Sequence, residues 1–261
     1  FQFVESEFMK AEDYDAFLAD PTDWVIRNYL PRAFAKLDGL VDMPPLSLFV
    51  FGSYFLNSLG VMAEGRLAES LRTFARAVQA IADGVERMKK NHERMVALGF
   101  PEPFLAGPTI TAPFDAMSDA LRGMRGIMLD ILRKPDKLLM AQQKLARVEL
   151  EYVLQVSRAT GIDRAFLPLH RGSDGFMSLK QFETLYWRPL KEILVTLVDN
   201  GITPIVFYEG CWDQRLEYLA ELPKGKTVGW FQASDIFRVK KIVGDTMCIV
   251  GGMPNSLLKA G

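Results

Sequence analysis

The stretch from Ala165 to Trp212, AFLPLHRGSDGFMSLKQFETLYWRPLKEILVTLVDNGITPIVFYEGCW, admits few architectures, because it holds a strand, a turn, a helix and a second strand in order. Ala165 to Leu169 is a short apolar run that breaks into the polar turn His170-Arg171-Gly172-Ser173-Asp174-Gly175, as a strand does when it empties into a loop. Ser178 with Gln181 three residues on is a capping-box signature. It opens a helix whose apolar positions are Phe182, Leu185, Leu190, Ile193, Leu194 and Leu197. Gly201 is the expected stop. Thr203 to Phe207 reads as a second buried strand, with Tyr208, Glu209, Cys211 and Asp213 at its C-terminal end. Two strands joined by a helix pair in parallel through a right-handed crossover, so both polar sets reach one rim of the sheet. Parallel α/β proteins keep their sites on that rim.

The unit recurs. Pro103 to Ile110 reads as an earlier strand, followed by a long turn to Asp119. A helix then starts at Pro135, with Leu138, Leu145, Val148, Tyr152 and Val156 expected on its inner face and Gly161 at its end. Later come a helix from Gln214 to Leu222, a strand from Thr227 to Phe231, a helix capped by Ser234 or Asp235, and a strand from Met247 to Val250. The last turn is Gly251-Gly252-Met253-Pro254-Asn255-Ser256. Repeated βα units without hairpin signals argue for a closed (β/α)8 barrel or an open doubly wound sheet. Neither a G-x-G-x-x-G loop nor a Walker A sequence is present, so a TIM (β/α)8-type barrel is expected. Five or six strands do not close it. The chain is therefore expected to be an incomplete barrel lacking its first and last strands.

Ahead of the barrel pattern, residues 5–38 read as short helices punctuated by Pro21 and Pro31, with Asp20 or Thr22 as a cap. Residues 45–62 are apolar with a central Gly52, and periodicity does not separate strand, helix or loop there. From Ala63 to Leu98, Leu67, Leu71, Phe74, Val78, Ile81, Val85, Met88, His92 and Met95 recur at steps of four and three, the mark of one long amphipathic helix. So regular a seam suits a second helix, including one from another subunit. His92, on that seam, reads as a core or interface histidine. Residues 1–62 are expected as an N-terminal helical and loop segment, and 63–261 as the barrel core.

The net charge of −1, with acidic and basic residues interleaved, excludes bulk attraction to nucleic acid or an anionic membrane. No apolar run approaches the roughly 18 residues of a membrane span, and no signal peptide is read at the start. Two cysteines, Cys211 and Cys248, make no disulfide framework, so a reducing cytoplasm is expected.

Four segments, taken together, resemble the uroporphyrinogen decarboxylase (URO-D) superfamily. GPTITAPFDAMSDALRG (107–123) is similar to its GP-x-T turn and LRG, with a Pro-started helix following. LHRGSDGFMSLKQFETLYWRPL (169–190) resembles its loop and F-x-x-x-x-x-P helix. TPIVFYEGCWD (203–213) and SDIFRVKKIVGDTMCIVGGMPNSLLKAG (234–261) resemble the strands that follow. The resemblance implies a TIM barrel with its pocket at the strand C-termini, commonly a homodimer. It implies either methyl transfer involving a cobalamin or a corrinoid protein, with zinc activating a thiol acceptor, or cofactor-free decarboxylation of uroporphyrinogen; a catalytically silent tetrapyrrole-binding barrel is the third reading. Where decarboxylases carry a Tyr after the GP-x-T strand, this chain has Phe114-Asp115. Where the methyltransferases carry His-x-Cys, it has Tyr208 and Gly210.

The residues at the rim supply the candidate chemistry. His170, with Asp174 four residues on, reads as a general acid or base oriented by a carboxylate; Glu209, after four apolar residues, reads as a loop salt bridge or as a pocket carboxyl whose desolvation would suit it to acid-base catalysis. His170, Glu209 and Cys211 are all acceptable zinc ligands and form the candidate metal set. Asp115, Arg171, Tyr208, Trp212, Gly252 and Asn255 are the candidate substrate contacts. Asp115, Asp119 and Arg122 read as groups that handle a polar substrate edge or, alternatively, as a helix-start cap and a surface ion pair.

Overall fold

The computed structural model of the protein describes residues 6–100, 104–105 and 107–253. The chain divides into two compact units: Glu7–Glu102, and Pro103–Gly261 together with Phe1–Ser6. This division falls well beyond residue 62, because the long helix Gly65–Ala97 packs its first turns on the N-terminal segment. Leu67 joins Leu37, Leu40 and Met43 in a small core. Arg66 Nε pairs with Asp42 at 2.7 Å, and Ser70 Oγ accepts the Gly39 N–H at 3.2 Å. Asp20 caps the helix Pro21–Trp24 as expected, accepting from the N–H groups of Thr22 and Asp23. The apolar stretch left open by periodicity forms tight helical turns, Leu46–Ala63, broken at Gly52 where φ is 72°.

In the second unit, four strands lie side by side in chain order: β1 Arg164–Leu169, β2 Thr203–Tyr208, β3 Thr227–Phe231 and β4 Met247–Gly251. Every neighbouring pair is parallel, with Leu169 level with Tyr208 and Tyr208 level with Phe231. The order runs without reversal, as in a barrel. A doubly wound sheet reverses at its switch point. The strand expected over 103–110 survives among the described residues as one parallel bridge, Thr109 to Phe166, flanked by the Ile110 N–H to Phe166 O bond at 2.9 Å and the Phe166 N–H to Pro108 O bond at 3.0 Å.

Strand alternation gives the sheet two unlike faces. Ala165, Leu167, Leu169, Val206, Tyr208 and Phe231 are buried on one. On the other, Phe166, Pro168, Phe207, Val228, Trp230 and Val250 are apolar yet only half-buried. A parallel sheet with an open apolar face is the inside of a barrel whose ring these strands do not close.

The crossover from β1 to β2 follows the sequence closely. Ser178 Oγ accepts the Gln181 N–H at 3.3 Å and Gln181 Oε1 accepts the Ser178 N–H at 3.0 Å, closing the capping box. The helix then runs through Leu179–Gln181, a wider π-type stretch Phe182–Trp187, and Arg188–Asp199, and stops before Gly201, where φ is 76°. The helix Pro135–Thr160 also ends at a left-handed glycine, Gly161. Its buried positions are Leu138, Ala141, Gln142 and Val153, while Val148 and Tyr152, expected inside, are exposed. Straight α-helical periodicity over 26 residues carries the buried line away from those two positions.

Candidate active site

Two segments face the C-terminal end of β1. The short helix Pro113–Asp115 continues into the π-type stretch Ala116–Arg122, which puts Asp115 and Asp119 four residues apart on one side. Asp115 is fully buried and takes both consecutive N–H groups at the strand exit, from His170 at 2.7 Å and Arg171 at 3.0 Å, together with the Tyr186 hydroxyl at 2.8 Å. One buried carboxylate thus fixes the backbone from which the two versatile side chains depart. The next residue allows this only as glycine: a Cβ on Gly172 would strike the Trp212 ring and lie 2.6 Å from Tyr186 Cε1.

His170 then sits between two carboxylates. Its Nδ1 is 2.6 Å from Asp119 Oδ2, and its Nε2 is 3.6 Å from Glu209 Oε2, which arrives from the end of β2. Asp119 Oδ1 accepts from Ser118 Oγ at 2.7 Å and from Arg171 Nη2 at 2.9 Å, and Arg171 Nε reaches Ser118 Oγ at 3.2 Å. These groups border a cavity of about 450 Å³ lined by Asp119, His170, Arg171, Ser173, Glu209 and Gln232, with Gly210. Gln232 Oε1, from the residue immediately after β3, accepts the Gly210 N–H at 2.7 Å and closes the far wall.

The charges reinforce one another. The hydrogen bond to Asp119 raises the His170 pKa above its ordinary 6.5 against the opposing effect of burial, with the charges of Asp115, Asp119 and Glu209 adding to it. Burial pulls Asp119 the other way, but its bonds to His170 and Ser118 and the nearby Arg171 charge hold its carboxyl below the usual range. Burial pushes the Asp115 carboxyl up to about 6, although the His170 and Arg171 N–H groups and the Tyr186 hydroxyl favour the anion. An imidazole held between two carboxylates at the wall of a cavity can give and take a proton at a bound ligand.

Several sequence expectations land elsewhere. Asp174 does not orient His170; its carboxylate accepts the Gln214 N–H at 3.1 Å, lies 3.8 Å from Arg215 Nε, and receives the Cys211 thiol at 3.5 Å. Asp119 holds the imidazole in its place. Asp115 is a buried anchor and does not border the cavity. Tyr208 and Trp212 are fully buried on the helix-covered side: Tyr208 stacks on Phe231 with ring centroids 4.7 Å apart, and Trp212 Nε1 donates to Glu209 O at 2.9 Å. Burial raises the Tyr208 phenol, whose oxygen has no hydrogen-bond partner among the described residues. Gly252 makes the turn after β4, its N–H bonded to Phe231 O at 3.2 Å with φ at 85°, and Asn255 lies outside the described residues. Arg122, read as a substrate or surface group, is buried against Asp130 with Nε to Oδ2 at 2.5 Å.

Sequence reasoning passed over Gln232, Ser118 and Tyr186, and it missed Arg215, a buried guanidinium that lies 4.5 Å over the Phe182 ring and donates to Met177 O at 2.7 Å. The five-residue span Asp115 to Asp119, with a carboxylate at each end on a helix start beside a strand exit, was the available signal for the clamp.

The zinc set does not assemble. Cys211 turns its thiol to Asp174, burial raises that thiol's pKa, and neither residue borders the cavity that His170 and Glu209 share. Among the described residues no group of three or more His, Cys, Asp or Glu side chains is placed to hold a metal ion. The residues present do not fit zinc.

A sequential parallel sheet with a polar cluster beyond the strand C-termini is the arrangement of a barrel-type α/β protein. The chain matches the family described as Uroporphyrinogen decarboxylase (URO-D) over residues 52–261, and it belongs to that family. The family fold is a TIM barrel, and the four described strands form part of one. Among curated proteins no match is found. No helix of the described residues is long and apolar enough to cross a membrane.

Proposed function

We propose that this URO-D superfamily chain takes part in methyl transfer involving a corrinoid, with His170 moving the proton that accompanies the transfer. The observation that carries the reading is the line Asp119–His170–Glu209 along the cavity wall. A methyl group leaving an oxygen, nitrogen or sulfur atom leaves behind a basic heteroatom, and a proton from the imidazolium neutralises it. In the reverse direction the same imidazole takes the proton back. A corrinoid, as co-substrate or on a partner protein, would supply the cobalt that accepts the methyl group. Asp119 keeps the ring oriented and favours its charged form, and Glu209 faces the other nitrogen, where the substrate heteroatom would enter.

Uroporphyrinogen decarboxylation is the weaker alternative on electrostatic grounds. Its substrate is a polycarboxylate, and this cavity presents two carboxylates and one guanidinium already engaged by Asp119 and Ser118. Like charges so close oppose such a ligand. The test is anaerobic incubation of the protein with methylcobalamin and a panel of thiol, phenol and amine acceptors, followed by corrinoid absorbance. Protein-dependent demethylation is expected. Turnover of uroporphyrinogen with no demethylation would transfer the site to decarboxylation, and ligand binding without turnover of either would mark a silent barrel.

A further inference from the structure

Two of the residues that line the cavity, Ser173 and Gln232, take no part in the line Asp119–His170–Glu209. Both converge on Gly210. Gln232 Oε1 accepts the Gly210 N–H at 2.7 Å, and a Cβ on Gly210, where φ is 78°, would lie 3.2 Å from Ser173 Cβ and 3.4 Å from Ser173 Oγ.

The bond to Gly210 decides which way the Gln232 amide faces. A backbone N–H can be accepted only by the amide oxygen, so the NH2 group is turned away from Gly210. Among the described residues, neither that NH2 nor the Ser173 hydroxyl has a hydrogen-bond partner. Both side chains are half-buried, and the backbone behind each is tied down. The Gln232 N–H bonds Tyr208 O at 3.3 Å. On the other side, Arg215 donates from Nη2 to Met177 O at 2.7 Å and from Nε to Gly172 O at 3.4 Å, so one buried guanidinium grips both ends of the turn that carries Ser173. The Asp174 N–H, bonded to Cys211 O at 2.7 Å, fixes the middle of that turn. Donors held this way lose little freedom when a ligand arrives.

We propose that Ser173 and Gln232 are the specificity-determining residues of this site and bind an uncharged carboxamide of the ligand that enters the cavity. This deepens the methyl-transfer reading by naming a substrate class, and takes from it only that a ligand occupies the cavity. Two N–H donors and a hydroxyl select an oxygen acceptor. Charge decides its kind. Asp119 and Glu209 both border the cavity, and the Arg171 guanidinium is engaged by Asp119, so a carboxylate or phosphate meets a repulsion that a carbonyl escapes. Glu209, the residue before Gly210, faces His170 only at 3.6 Å and supplies an acceptor for the ligand's own amide N–H groups.

Three matched probes, 4-methoxybenzamide, 4-methoxybenzoate and 4-methoxytoluene, share a ring and a methyl ether and differ in the group that Ser173 and Gln232 would read. Each is titrated into the intact chain, with binding followed by calorimetry and by the side-chain amide NMR signals of Gln232. The benzamide is expected to shift those signals and to bind at least about tenfold tighter than either of the others. Gln232→Glu keeps an oxygen for the Gly210 N–H and replaces both donors by an acceptor. It is expected to weaken the benzamide at least about tenfold with the melting temperature unchanged, and to bind 4-methoxybenzylamine, whose ammonium group donates, more tightly than the wild type does. Ser173→Ala gives a second reading, with an expected loss of about threefold or more. The assignment is overturned by a benzoate that binds as tightly as the benzamide, by no benzamide binding up to about 10 mM, or by a benzamide affinity that Gln232→Glu leaves unchanged. If Gln232→Glu unfolds, an unchanged affinity in Ser173→Ala overturns it. Every arm reads binding, so a failure of methylcobalamin demethylation would remove the methyl-transfer reading and leave this one standing.

Discussion

Replacing Asp115 by Asn separates the two roles of this residue, anchor and buried acid. The carboxylate accepts three hydrogen bonds in a fully buried position. Asn keeps one oxygen for the His170 N–H and the Tyr186 hydroxyl, and turns its NH2 toward the Arg171 N–H, a donor facing a donor that costs about 1–3 kcal/mol at every pH. The second effect depends on pH. The native carboxyl ionises near 6 and the unfolded one near 3.8. Between those values the unfolded chain releases a proton that the native protein retains, so rising pH favours unfolding. Stability from this group is complete below the unfolded pKa and is lost as pH passes the folded one, a change of about 3 kcal/mol in full. Asn does not titrate. Urea unfolding of both proteins from about pH 4 to about pH 8, followed by fluorescence of the buried Trp187 and Trp212, is therefore expected to show the wild type losing about 2–3 kcal/mol relative to Asp115→Asn. A difference that stays constant over that range would refute the assignment of Asp115 as a buried acid with a raised pKa.

Three other outcomes follow from the same geometry. Asp119→Asn is expected to bring the His170 pKa down toward 6.5, read from imidazole proton shifts in a chain with only two histidines; an unchanged titration would remove Asp119 as the orienting group. Gly172→Ala is expected to destabilise the second unit by about 3 kcal/mol or more, since neither Trp212 nor Tyr186 can recede from a Cβ without opening the core. Arg122→Ala, by removing the guanidinium that pairs with the buried Asp130 carboxylate, is expected to cost about 3–5 kcal/mol in denaturant unfolding.

Sequence made legible what is decided locally. The run from Ala165 to Tyr208 holds its own strand ends, capping box and left-handed stop, so its elements fall where the apolar spacing places them. Gly161 and Asp20 worked in the same way. Partnerships between separate strand exits did not. Nothing near His170 in the chain says that Asp119, 51 residues earlier, takes its Nδ1, because that pairing depends on the stagger of Thr109 against Phe166. Asp174, the nearer carboxylate in sequence, is turned away by the Cys211 and Gln214 backbone it binds. Tyr208 and Trp212 were legible as strand-end residues, but not as buried ones, since one residue of register separates the cavity side from the helix side. Arg122 could have been paired from its spacing: Gly126 and Asp130 follow at steps of four, and Gly126 leaves the room in which the guanidinium lies.

Methyl transfer at this cavity requires His170 as the group that moves the proton. Methyl loss from methylcobalamin to the best acceptor, measured for the wild type and for His170→Ala at one pH, tests it most directly, with melting temperatures taken alongside. A fall of about 10²–10⁴-fold in rate with the fold retained is the predicted result. Equal rates in the two proteins would contradict it.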